Sequence, residues 1–471
     1  MQENHSSHSS HSSNQLQPKL GLRAASFLVI SVIIGSGVFK KIAPMAQELG
    51  TPWLILLCWL IAGIVSLAGA LCTAELVSMY PNSGGEYNYF QKIYGRFFSF
   101  LYGWASFAVI KTAAISALAY IFAQSLNSLF PLPVLDLNYT FLGLHLFENL
   151  SIKLLAAFLI VLLTVLNYRG VQFAEKLSSV LTYAMLGAIA FFLVVGFGAE
   201  QGSMDNLTTA AKGATTDLNG WTLMKALFLA SLGAFWGYDG WNNIAFIGEE
   251  IKNPKRNLPL ALGLGTLGVM AVYVMINFVF LYVMPIDFFI ALNATPNKIA
   301  AVEVAGQLSG TIGMALVACL ILVTTMNSTN SSILMSARML YAMARDKTFF
   351  KQAESVHPRY NTPDKALFIQ AAWAVLLVFS GSFDQLTDML VFAAFLFYAA
   401  TAVGLLYLRI KLPNAERTYK VIGYPIVPIL FLIFCITICI MTLINQPYEA
   451  LMGLVLIASG LLVYFWLGRA K

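Results

Sequence analysis

Two stretches decide how this chain is read: Ile33-Ile34-Gly35-Ser36-Gly37-Val38-Phe39 and Phe235-Trp236-Gly237-Tyr238-Asp239-Gly240-Trp241-Asn242-Asn243. Each interrupts an apolar run with paired glycines, and a glycine costs a helix about 1 kcal/mol relative to alanine. Such pairs mark places where a helix can break. A break frees backbone N–H and C=O groups, which at membrane depth are tolerated only around a buried or watery cavity. Donors freed at the start of a half-helix suit an anion such as a carboxylate. Carbonyls freed at the end of the preceding half suit an ammonium or a metal cation. A free α-amino acid carries one group of each kind. Small residues also let membrane helices pack closely, and a single such stretch would favour that explanation. Here the stretches lie in the first and sixth apolar segments. With a five-helix repeat they occupy equivalent places in its two halves, an arrangement that points to a transporter site.

The surrounding composition agrees. Hydrophobic residues make up 59% of 471 and charged residues 11%, with a mean hydropathy of +0.75; soluble domains carry roughly 25% charged residues. The apolar residues fall in runs of about 20, long enough to cross the hydrocarbon as helix. They lack the ten-residue alternation of barrel strands. The expectation is an all-α membrane protein with twelve transmembrane helices. They fall at roughly 22–47, 52–79, 97–128, 152–169, 174–198, 221–247, 257–284, 301–345, 364–380, 386–410, 424–443 and 447–467. The eighth is too long for one crossing and is expected to continue as helix beyond the bilayer, through Arg338 and Arg345.

Twelve crossings put both termini on one side. With the termini inside, 21 of the 28 Lys and Arg residues lie on the inner face, while Lys40, Lys41, Lys153, Lys212, Lys225 and Lys298 lie outside and Lys111 within a helix. That bias predicts cytoplasmic termini in a cell (inner) membrane, and it explains the +6 charge without a nucleic-acid partner. Residues 1–19, with three His-Ser-Ser units, read as a disordered cytoplasmic tail, and residues 20–471 as one polytopic domain. A loose metal site at His5, His8 and His11 is the lesser reading of that tail. No cleavable signal is expected, since the first apolar run continues without a small-residue cleavage site. Cys58, Cys72, Cys319, Cys435 and Cys439 all lie in apolar runs, so neither disulfides nor a metal cluster is expected. No cofactor is expected.

Further motifs sharpen the reading: Ala70–Leu76 (ALCTAEL), Pro81–Tyr89 (PNSGGEYNY), Tyr238–Pro259 (YDGWNNIAFIGEEIKNPKRNLP) and, more weakly, Asn330–Arg345 (NSSILMSARMLYAMAR). With Ile33–Phe39 they resemble the amino acid–polyamine–organocation superfamily, and within it the L-type amino acid transporters, in spacing and order from about Gly21 to Trp466. The resemblance implies a LeuT-like fold. Two inverted five-helix repeats occupy about 20–200 and 220–410, helices 1 and 6 are broken, and two accessory helices follow at about 424–467. It implies that a substrate carboxylate meets Gly35, Ser36 and Gly37. The amino group falls to the main-chain carbonyls of Ile33, Trp236 and Asp239, with Gly237 and Gly240 in the same broken segment. Trp236 takes the place of the family's capping aromatic, and Asn242 that of the asparagine after the Gly-Trp pair.

Ionisable groups at membrane depth cost at least about 2.5 kcal/mol on insertion scales and are functional candidates. Asp239 can pair with a substrate amine or a basic side chain, shuttle a proton, or turn away to cap freed donors. Lys111 can contact substrate, coordinate helix movement, or satisfy neighbouring carbonyls. Many sodium-independent relatives implied by the resemblance keep a lysine in the fifth helix where this chain has Met185, which can neither carry charge nor release a proton. Ser331, Ser332 and Thr325 in helix eight, with Ser178 and Ser179 in helix five, offer oxygens for sodium, although such hydroxyls more often bond neighbouring backbone. Exchange or facilitated transport of neutral amino acids is the leading expectation. Behind it stand polyamine or basic amino acid exchange with Asp239 as counter-charge, sodium- or proton-coupled symport, and a non-transporting sensor. Mammalian L-type transporters join a heavy chain through a cysteine between helices three and four; the corresponding 127–151 contains none, so no disulfide-linked partner is expected.

Overall fold

The computed structural model describes residues 20–469 except 81–83, 136–139, 142–143, 146, 170, 213–219, 296 and 361; for 140, 141, 144, 145, 171–181, 247–250 and 467–469 only the backbone is described. The expected tail at 1–19 lies outside the described residues, as do the side chains of Ser178 and Ser179. In chain order the helices are α1 (Leu22–Ile33), α2 (Gly37–Lys40), α3 (Ile42–Leu49), α4 (Pro52–Met79), α5 (Glu86–Tyr94) and α6 (Arg96–Ala105). Then come α7 (Lys111–Leu129), α8 (Leu150–Tyr168), α9 (Val171–Phe197), α10 (Asp205–Thr208), α11 (Gly220–Tyr238) and α12 (Pro254–Val283). The last are α13 (Ile286–Asn293), α14 (Ala300–Arg345), α15 (Asp364–Ser380), α16 (Phe383–Lys411), α17 (Ile426–Asn445) and α18 (Pro447–Arg469). A π-helical turn at Ser106–Ile110 joins α6 to α7, and a 3-10 helix at Trp241–Glu250 follows α11. A two-residue hairpin, β1 (Thr140–Phe141) with β2 (Leu144–His145), is the one sheet among the described residues.

Nine helical stretches among the described residues are long and apolar enough to cross a bilayer; α9, α11 and α15 are not among them. The first expected helix is three pieces, broken after Ile33 and again at Lys41. α14 runs 46 residues but bends at Ser309-Gly310, where Gly310 takes φ 59°. Apolar side chains surround most helices, as they must when lipid is on one side and protein on the other. α12 packs along α4 and α1, and α7 against α14. α11 packs against α4, α3 and α2, which sets its end beside the break that follows α1.

Candidate functional site

The two glycine-interrupted stretches are the two breaks. α1 stops at Ile33 because Ile34 leaves the helical region (ψ 87°), and α2 restarts at Gly37. α11 stops at Tyr238, and Gly240 turns the chain with φ 111°, a conformation that favours glycine. The breaks touch: a Cβ on Gly37 would stand 2.5 Å from the Gly237 Cα. The Tyr273 hydroxyl, fully buried on α12, lies 2.9 Å from both the Ile33 and the Gly237 carbonyl oxygens. Its one proton is shared between carbonyls that neither half-helix can satisfy.

A cavity opens beside this junction. Val32, Ile33, Gly35, Ser36 and Gly37 line it from the first break, and Trp236, Gly237, Asp239, Gly240 and Asn243 from the second. Lys111, Ala114 and Leu118 of α7 and Ser332 of α14 complete the wall. The Oγ atoms of Ser36 and Ser328 and the Nε1 of Trp236 are buried without a hydrogen-bond partner in the protein. Such groups are rare in folded interiors and suit a ligand or water. Ser328 stands next to Gly35 across the break.

The charged groups are held individually. Asp239 accepts a hydrogen bond from the Tyr398 hydroxyl at 3.0 Å. Lys111 donates to Asn243 Oδ1 at 2.6 Å, and its ammonium stands 5.7 Å from the centre of the Phe246 ring. Asn242 does not line the cavity; its amide donates to Glu86 Oε1 at 2.7 Å. Ser331 and Met185 are buried and also lie outside the cavity wall. Thr325 spends its hydroxyl on the Ile321 carbonyl of its own helix.

Beside the cavity Trp236 meets Phe383 edge to face, with ring centres 6.0 Å apart. Lys40 and Lys41 stand 4.6 and 4.8 Å from the Phe383 ring centre. Lys41 pairs with Asp384 at 2.6 Å and donates to Thr387 at 2.9 Å. Toward the other end of α4, Glu75 pairs with Arg409 at 2.7 Å and Arg417 at 3.0 Å.

Comparison with known proteins now places the chain. The family model described as "Amino acid permease" matches residues 20–466. The chain belongs to the amino acid permease family. Its relatives include the serine/threonine exchanger SteT of Bacillus subtilis (strain 168), 31% identical over 97% of this chain and 98% of the relative. The b(0,+)-type amino acid transporter 1 of Homo sapiens is 29% identical over 96% of this chain and 88% of its own length. The cystine/glutamate transporter of Homo sapiens is 28% identical over 96% and 85%. The expected superfamily is therefore the right one for this permease, and a multi-pass membrane protein is what its helices build.

Sequence reasoning missed Tyr273, Tyr398, Ser328 and Asn243. Tyr273 sits in an unbroken apolar run and is 240 residues from the carbonyl it holds. Asn243 was within the quoted stretch, but only the structure shows that it, rather than its neighbour, faces the cavity.

Proposed function

We propose that this permease is a twelve-helix secondary transporter that exchanges neutral amino acids across the cell (inner) membrane by alternating access. In this reading two inverted five-helix repeats carry the site, α17 and α18 are accessory, and both termini are cytoplasmic. The observation that carries it is the junction of the two breaks. Backbone donors and acceptors converge there on one cavity, next to the unpartnered Ser36 hydroxyl and Trp236 indole.

The substrate carboxylate sits against the N-terminus of α2 at Gly35–Gly37, where N–H groups and the helix dipole favour an anion. The ammonium takes the free lone pairs of carbonyls at the ends of α1 and α11. Trp236, stacked edge-on against Phe383, closes the site from outside. Opening that mouth requires α2 and α3 to part from α16, which breaks the Lys41–Asp384 pair. The neutral Met185, buried on α9, supports exchange over coupling through a lysine there. No covalently joined partner subunit is needed. Basic amino acids are the second reading, favoured by the Asp239 carboxylate on the cavity wall.

Uptake of radiolabelled neutral amino acids, serine and threonine included, into proteoliposomes tests this. Vesicles preloaded with unlabelled amino acid are expected to take up label irrespective of sodium, and empty vesicles are not. Sodium-driven uptake into empty vesicles would make it a symporter and move attention to α14. Uptake confined to lysine and arginine would establish the second reading.

A further inference from the structure

Glu86 opens α5, outside the nine apolar stretches, and is only 1% exposed. Its Oε1 accepts from the Asn242 amide at 2.7 Å, and its Oε2 from the Tyr102 hydroxyl. The charged and titratable groups around it come from several elements: Lys111 on α7, Asp239 after α11, Tyr102 on α6, Tyr398 on α16 and Tyr89 on α5 itself. Among the described residues Lys111 makes no salt bridge; its ammonium is taken by Asn243. Two carboxyls, Glu86 buried and Asp239 half-buried on the cavity wall, thus stand near one buried lysine. The group carries an excess negative charge unless it binds one proton, and an uncompensated charge in such surroundings is costly. Burial pushes the Glu86 carboxyl above its ordinary range; Lys111 and the two hydrogen bonds pull it down, and Asp239 pushes it up.

A protonated carboxyl needs an acceptor, and Asn242 carries one. Its Oδ1 is buried without a partner, and the residue is 3% exposed. The amide now gives a donor to the carboxylate; after a half-turn it gives an acceptor to the carboxylic acid at the same place. The next residue, Asn243, lines the cavity and holds Lys111, which lines it too.

We propose that Glu86 is a proton-binding site linked to the substrate cavity through Asn242 and Asn243, loaded when the cavity is empty and unloaded when a substrate ammonium settles beside Asp239. The inference rests on the transport reading above. The arriving ammonium supplies the positive charge that the proton otherwise brings, and the proton leaves Glu86 for solvent. A shared network of this kind makes the two occupancies reciprocal: each weakens the other.

The test uses the purified full-length protein and L-serine in weak buffer with a pH-sensitive dye. Binding is expected to release up to one proton per site, and the apparent Kd to rise about tenfold per pH unit as pH falls below the Glu86 pKa. Glu86→Gln, which cannot titrate, is expected to release none and to flatten the pH profile, while Glu86→Asp restores both. Serine binding to the wild type with no proton release and a pH-independent Kd would overturn the proposal, even if the glutamine variant fails to fold. So would proton release by Glu86→Gln equal to the wild type. Counterflow of all amino acids in proteoliposomes is run alongside. Its absence sinks the transport reading and the proposal with it, whereas counterflow with pH-independent serine affinity sinks the proton site alone.

Discussion

The Lys41 and Glu75 clusters of this permease are built from the same ingredient, an ion pair with a buried member, but in different surroundings. Lys41 is 3% exposed while its partner Asp384 is 53% exposed, so water reaches the carboxylate. Glu75 is fully buried and holds Arg409, Arg417 and the Val421 N–H, the last at 2.8 Å. A half-solvated pair is worth about 0–1 kcal/mol, and on parting the exposed carboxylate meets water while the buried Lys41 ammonium keeps Thr387 at 2.9 Å and Asp388 at 4.0 Å. Removing one member of a buried set strands the others, at about 3–5 kcal/mol. The Lys41–Asp384 pair ties the turn between α2 and α3 to α16, and in the alternating-access reading proposed above it breaks in each cycle. The Glu75 set joins the end of α4 to α16 and the segment before α17. The N-terminal edge is tied similarly, by the Lys252 N–H donating to the Leu20 carbonyl at 2.8 Å. The Lys41 tie is the weaker of the two ion-pair clusters, and the Glu75 tie the stronger.

The largest effect is therefore expected from Glu75→Gln. It replaces the carboxylate that Arg409 and Arg417 share with a neutral amide, and thermal unfolding of the detergent-solubilised protein should show a loss of about 3–5 kcal/mol. A wild-type melting curve would erase the distinction between the two clusters. Gly37→Val comes next. Its Cβ alone would meet the Gly237 Cα at 2.5 Å, so the breaks must separate, and exchange should fall on the order of 100-fold, as for a displacement of about 1 Å at a binding site. Trp236→Ala removes the edge-on contact with Phe383, worth about 0.5–1.5 kcal/mol. It should weaken substrate affinity by roughly 2- to 10-fold beyond any loss of contact area, measured by competition for uptake. Asp384→Asn is expected to do least: folding stays intact, and the outer mouth opens up to about fivefold more often. A thiol reagent applied from outside would read this as faster labelling. Moderate salt should mimic it, since exposed charges are screened within about 10 Å at 0.1 M ionic strength.

Much of this was legible in the sequence, and the reasons are local. Helix α4 begins and ends where hydropathy puts it, at Pro52 and Met79, because lipid rewards continuous apolar length. The breaks were legible because glycine marks them and because two occur at matching positions. The bend at Ser309-Gly310 was not, since one glycine in an apolar run is ordinary in membrane helices. Lys40 and Lys41 counted only as outer charges, yet Lys41 is buried against α16, 343 residues away in the chain. Glu86 lay in a quoted motif, and nothing there tells that Asn242 and Tyr102 grip it. What the sequence hides is pairing across the fold, which follows from tertiary packing.

The most direct test of the account is accessibility at the junction itself. Ser36→Cys, in a background with the five native cysteines replaced, would be challenged with a membrane-impermeant thiol reagent from each side of oriented vesicles. Alternating access around this cavity predicts labelling from either side, slowed by serine or another transported amino acid and quickened from outside by Asp384→Asn. Labelling from one side only, unaffected by any amino acid, would contradict alternating access around this cavity.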